Sequence, residues 1–342
     1  MKAADYHKAR QRAEMSYPDE KPVVDIDLSQ CPVKDRPRMI ALVNRLAKSP
    51  AGLEMLTFAA ENGYHFNFMT GSSTANGVMS ECGKRISLNP HRSDAKLVST
   101  LCHECRHAFQ HAHSSVLDEE HNLDVQSNIL YKRAMEADAQ AYAIRASKEL
   151  ALQGDLEPYY AFKKHYPEIE KAFDQAYQAA DNEITNEVMT KTFESWYDQD
   201  CMKAVYENTY ILKPMLNDLT WIQKGVPGKE FNRAVSAQQT IQEITQTKDG
   251  NYFTDDPEIL NTSKYKAVTE KTAEQIEKYV QYRKEMTGDD VSAILKGIQK
   301  RPNVPAAEAV EMKKPEPEPK KSEDKRSARQ AMVMNRLKNR SR

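Results

Sequence analysis

The chain has 342 residues with 49 Lys and Arg against 50 Asp and Glu, a formal net charge of −1 that exerts no global pull toward nucleic acid. Hydrophobic residues make up 39% and charged residues 29%, which suits a helix-rich chain of one or two domains with polar extensions rather than one large globule. No apolar run approaches the roughly 18 residues of a membrane span, no secretory leader is recognisable, and five scattered cysteines make no disulfide framework, so a reducing, cytoplasmic setting is expected.

Residues 1–34 read as a polar N-terminal extension, with a short helix at about 3–15 and the extended lead-in YPDEKPVVDIDLSQCP. RMIALVNRLAKS and AGLEMLTFAAENG read as one or two helices, with Gly63 as a C-cap. Tyr64–Met69 alternates like a strand, GSSTANG reads as a turn, and Arg85–Asn89 reads as a second strand ending at Pro90.

Ala95–His113 is expected to be a helix. Ser93 and Asp94 offer N-cap side chains, and Leu97, Val98, Leu101, Cys102, Cys105, Ala108 and Phe109 recur at helical spacing. At its centre stands His103-Glu104-Cys105-Arg106-His107, an H-E-x-x-H pattern. Histidines four apart share one helix face and can hold a single Zn²⁺, while Glu104 lies about 100° round, close enough to act as a general base without being a ligand. Burying such polar groups in an apolar helix costs several kcal/mol unless they have partners, and a metal supplies them. In zinc peptidases the strand ahead of this helix commonly borders the cleft, so Arg85–Asn89 is either an edge that receives an extended peptide or an ordinary sheet strand. Cys102 and Cys105 also match C-x-x-C, but they lie about two turns inside the helix, where thiols are not activated.

The long helix expected over Asp124–Gly154 carries Glu136 and Asp138 among alanines that permit close packing. A catalytic zinc needs a third protein ligand, and Glu136, 29 residues beyond His107, is the candidate. Asp138, about 200° away on the helix, cannot share that face but could steady a ligand histidine through its free ring nitrogen. His113 and His111 lie too far along the metal helix, because Gln110 stands where the metzincins place a chain-turning glycine. Cys82 lacks the sequence context in which peptide deformylases use an upstream Cys ligand. Residues 155–215 read as helical with aromatic anchors, among which Tyr206, or alternatively Tyr142, could stabilise an oxyanion. Charged helices are expected over Lys229–Thr247, Ser263–Thr287 and Asp289–Gln299. From Lys313 onward eleven Lys and Arg face four Asp and Glu, a basic tail that is either solvated or laid on an anionic partner.

LVSTLCHECRHAFQ and EADAQAYA together resemble the gluzincin-type zinc metallopeptidases. They are most similar to a bacterial metallopeptidase domain of unknown function, in which an H-E-x-R-H helix precedes an E-A-D-A helix and a W-[FY]-D…Y-[DE] segment. Trp196-Tyr197-Asp198 and Tyr206-Glu207 match that last element. The resemblance covers roughly residues 35–215 and implies a zincin-like domain with His103, His107 and Glu136 as ligands and Glu104 as catalytic base. It departs from the thermolysin pattern, in which Asp follows the third ligand at E-x-x-x-D. The expectation is therefore an α+β, mainly helical fold: an extension over 1–34, a zincin-like domain with a small sheet over 35–215, a helical extension over 216–300 and a disordered basic tail over 301–342. The expected activity is zinc-dependent hydrolysis of a peptide or protein substrate, with no membrane partner and at most weak nucleic-acid contact by the tail. The alternative is a non-catalytic, zinc-stapled helical protein that binds a partner through its C-terminal arm.

Overall fold

The computed structural model describes residues 17, 20–71, 73–304 and 310–315. The helix expected at 3–15 and the tail from 316 to 342 lie outside the described residues. The architecture is mainly helical with small sheets, an α+β arrangement. Among the described residues no helix is long and apolar enough to cross a membrane.

Two helices, α1 (Arg36–Leu46) and α2 (Pro50–Glu61), lead into a three-stranded sheet of β1 (His65–Phe68), β2 (Gly77–Ser80) and β3 (Arg85–Leu88). Each helix begins with proline in its first turn, where the missing N–H is not needed. Strand order is β1-β3-β2, with β3 parallel to β1 and antiparallel to β2. This corrects the edge-strand role considered for Arg85–Asn89: β3 is paired on both sides, and the outer edge beside it belongs to β2. The β2–β3 hairpin closes with Gly83 and Lys84 at positive φ.

The sheet delivers the chain to α3 (Asp94–His113), whose start is fixed from two directions. Ser93 accepts from the Lys96 N–H as N-cap. Arg38 donates to Asp94 Oδ1 at 2.8 Å and to the carbonyls of Pro90 and Arg92, both at 2.8 Å. Helix α3 packs along α4 (Val125–Leu152), which Asp124 caps through a 2.7 Å bond from the Ser127 N–H. Ala134, Ala137, Ala141, Ala143 and Ala146 of α4 are all buried in one core with Leu97, Val98, Leu101 and Ala108 of α3. The small side chains let two backbones run close together, so polar groups can reach from one helix to the other.

Helices α5 (Glu157–His165), α6 (Pro167–Ala179) and α7 (Asn186–Ser195) pack around this pair. Helix α8 (Asp200–Glu207) runs on through a π-turn, Asn208–Leu212, into α9 (Lys213–Gln223). Beyond it come α10 (Ala237–Ile244), a hairpin of β4 (Gln246–Thr247) and β5 (Gly250–Asn251), and the short α11 (Ser263–Lys266). Then β6 (Val268–Thr269) leads into α12 (Glu270–Thr287) and later pairs with β7 (Lys300–Arg301).

Residues after 215 are bound into the body by buried charge. Glu207, 1% exposed, accepts from Arg133 at 2.7 Å, Arg301 at 2.8 Å and the Thr272 hydroxyl at 2.7 Å. Residues 301–304 and 310–315 are thus not free of the body: Arg301 enters this network, and Met312 is buried against α12 with its N–H bonded to Gln275 at 2.7 Å. Their low apolar content signalled disorder, but among the described residues a buried methionine and a partly buried arginine paired with the buried Glu207 hold them.

Candidate metal centre

His103 and His107 leave α3 one turn apart, and their Nε2 atoms lie 3.0 Å from each other. Glu136, from the middle of α4, places Oε2 3.4 Å from His103 Nε2 and Oε1 3.6 Å from His107 Nε2. Among the described residues these three are the one set of His, Cys, Asp and Glu side chains whose ligand atoms all lie within 4.8 Å of one another. Donors about 2.0–2.1 Å from a common tetrahedral centre stand about 3.3 Å apart. Two imidazoles and a carboxylate at this spacing fit a divalent metal ion.

The protonation of Glu136 and His107 suits ligation. Burial opposes charge on Glu136, yet His107, His103 and the Tyr206 hydroxyl outweigh it and hold the carboxyl down to about 2. Burial lowers His107 to about 4, so its ring is neutral. Burial also acts to lower His103, but the Glu136 carboxylate beside it raises it overall.

A second layer of contacts aims these three side chains. Tyr206 donates to Glu136 Oε2 at 2.7 Å and Tyr210 to Glu136 Oε1 at 2.9 Å, from stacked rings on either side of the start of the π-turn. Tyr206 was expected to face an oxyanion; a hydroxyl has one proton, and here it goes to the Glu136 carboxylate. Tyr142, the alternative, is buried elsewhere, with its ring 3.9 Å from the Arg106 guanidinium.

His107 Nδ1 pairs with Gln110 Oε1 at 2.8 Å. The Gln110 amide in turn donates to Asp138 Oδ2 at 2.6 Å and to the Met135 carbonyl at 2.9 Å. Asp138 therefore supports His107 at one remove, through Gln110, instead of touching it. It also takes a bidentate pair from Arg106, at 2.6 and 3.1 Å, and the Tyr252 hydroxyl at 2.8 Å. Arg106 Nη2 also donates to the carbonyls of Ile244 and Gln246 at 3.0 and 2.7 Å, while its Nη1 is buried without a partner. Both Arg106 and Asp138 are 0% exposed, so charge and hydrogen bonds must be satisfied internally.

The three candidate ligands open onto a cleft of about 680 Å³. Glu104 lines it, and burial raises its carboxyl to about 7, against the His103 field and a bond from the Met79 backbone that lower it. The edge strand β2 contributes Gly77, Val78 and Met79 to the wall. Gly77 is needed for that approach, since a Cβ there would stand 2.6 Å from Glu104 Oε1 and 2.7 Å from Thr100 Cγ2.

The other weighed ligands fall outside the cluster. His113 stacks on Phe109 with centroids 4.0 Å apart, His111 lines the cleft without joining the three donors, and Cys82 is exposed on the hairpin. Cys102 and Cys105 are free, buried thiols pushed well up by desolvation.

Sequence reading assigned no role to Arg106, Tyr252 or Gly77, showed Tyr210 only as an aromatic anchor, and marked Gln110 only for the glycine it replaces. Gln110 carried a readable signal, since a residue three beyond a ligand on a helix can reach back to its ring.

A family model matches residues 20–218. The chain belongs to the family described as "Putative metallopeptidase family (DUF6782)". The match spans the sheet, α3, α4 and the Tyr206–Tyr210 segment, whereas Ile244, Gln246 and Tyr252 lie beyond it. No curated protein matches, and no solved structure matches.

Proposed function

We propose that this protein is a zinc-dependent peptidase of the zincin-like, gluzincin type, with His103, His107 and Glu136 as ligands and Glu104 as general base. One observation carries the reading: three convergent donors sit in an open cleft with a buried carboxyl next to them. Zinc bound there supplies Lewis acidity, polarising a carbonyl and making water acidic near neutral pH. Glu104 then accepts a proton during attack and returns it to the leaving amine. Its carboxyl near 7 suits both directions of transfer. Tyr206 and Tyr210 keep Glu136 aimed, and Gln110 fixes the tautomer of His107 with its proton on Nδ1. The outer edge of β2 is the place for an extended substrate to add as a strand, which turns the strand assignment from Arg85–Asn89 to Gly77–Ser80.

The staple reading calls for a closed four-ligand site. Three donors facing a cleft favour the enzyme. The test is hydrolysis of a mixed peptide library by purified protein. Activity should disappear on chelation with 1,10-phenanthroline and return with added Zn²⁺. Hydrolysis that is indifferent to the chelator, or absent from zinc-loaded protein, would remove the proposal.

A further inference from the structure

Lys96 lies in the first turn of α3 and lines the same cleft as the candidate ligands. It is 4% exposed, yet among the described residues its ammonium has no carboxylate within ion-pair distance and no hydrogen-bond acceptor. Its one close partner is the face of Tyr166, 4.4 Å from the ring centroid. Three features of this placement oppose a purely structural role. A buried ammonium without a counter-charge is costly. The N-terminal turn of a helix carries the positive end of its dipole, which repels a cation. Arg92 stands near enough to add like-charge repulsion, and its own Nε is buried without a partner. Burial first, and then Arg92, bring the Lys96 ammonium down to about 8, so it still carries its charge at neutral pH.

The acids of the cleft, Glu104 and Glu136, both belong to the metal centre, so nothing there is left to neutralise Lys96. We infer that Lys96 is a specificity residue that receives a carboxylate of the peptide substrate, so that the enzyme selects peptides bearing a negative charge near the scissile bond. The carboxylate is either the substrate's own C-terminus or an Asp or Glu side chain. Seven residues separate Lys96 from His103 on α3, about 10 Å of helix rise. An extended peptide covers that distance in about three residues, so the preference belongs to one fixed subsite within about three residues of the cut.

This inference rests on the peptidase reading. The experiment compares wild type, Lys96→Met and Lys96→Arg, all zinc-loaded, on a peptide library read by mass spectrometry. The best substrates are then re-made with an amidated C-terminus and, separately, with Asn or Gln in place of Asp or Glu. Wild type should favour a carboxylate at one position, and the arm that loses the preference identifies its source. Lys96→Met should raise KM for carboxylate peptides about 10- to 100-fold, with kcat and the KM of the neutral analogues nearly unchanged. Lys96→Arg should keep most of the preference. Tm of Lys96→Met should match or exceed wild type, because an unpaired buried charge is removed. Cleavage without any carboxylate preference, or a Lys96→Met variant with a lowered Tm and unchanged KM, would overturn the inference and leave the peptidase reading standing. A zinc-loaded wild type that cleaves no peptide would overturn both.

Discussion

Glu104→Gln should lower kcat for peptide hydrolysis by about 10²–10⁴-fold, the usual contribution of a positioned proton carrier, while the zinc content stays at the wild-type level. The carboxamide has nearly the same shape and can still accept from the Met79 backbone, so the crowded approach of Gly77 to this side chain is not disturbed. What it cannot do is hold a proton at one moment and release it the next. KM should change little, since Glu104 is not a ligand in this account. Steady-state kinetics beside elemental analysis check both halves. A variant that keeps zinc and full activity would place the base elsewhere, and one that loses zinc would make Glu104 part of the metal's support.

Asp138→Ala should produce the largest loss of stability. Arg106 would remain in a site where it is 0% exposed, with its charge unpaired. The carbonyls of Ile244 and Gln246 and the faces of Tyr142 and Phe109 still surround it, but none carries a negative charge. Breaking a buried ion pair in this way costs about 3–5 kcal/mol, roughly 6–15 °C in Tm. Gln110 would also lose its 2.6 Å acceptor, loosening the carboxamide that orients His107. Zinc affinity should therefore fall about 10- to 100-fold. Calorimetric unfolding with and without zinc separates the two effects: the loss of Tm persists without metal, and the zinc-dependent gain shrinks. A destabilisation below about 1 kcal/mol would mean that the Arg106 network does not hold α3 to α4 and α10.

The parts of this centre that were legible in the sequence are those set by helix periodicity alone. His107 follows His103 by four positions, and α3 brings their Nε2 atoms to 3.0 Å. Asp138 follows Glu136 by two positions, and the expected turn of about 200° sends one toward the imidazoles and the other toward Arg106. What periodicity cannot show is which helix lies opposite. Arg106 finds its carbonyl partners 138 and 140 residues later in the chain. Tyr252 reaches Asp138 across 114 residues.

Strand order was hidden for a similar reason. Gly77–Ser80 is short, begins with glycine and lacks clean alternation, so only pairing reveals it as the edge and β3 as the centre. Tyr206 was visible as an aromatic anchor, but the direction of its hydroxyl depends on where Glu136 stands. Lys96 looked like any charged residue in a first helical turn, and its burial comes from α5 and Tyr166 closing over α3. Gln110 was noticed for the glycine it replaces, and its bond to His107 is what that substitution permits.

In the proposed centre His103, His107 and Glu136 grip one zinc ion. Elemental analysis of the purified protein after incubation with zinc and exhaustive dialysis, run beside Glu136→Ala, tests it most directly. About one zinc per wild-type chain is expected, with most of it lost in the variant. A wild-type chain that retains no zinc, or a Glu136→Ala chain that retains as much as wild type, would contradict it.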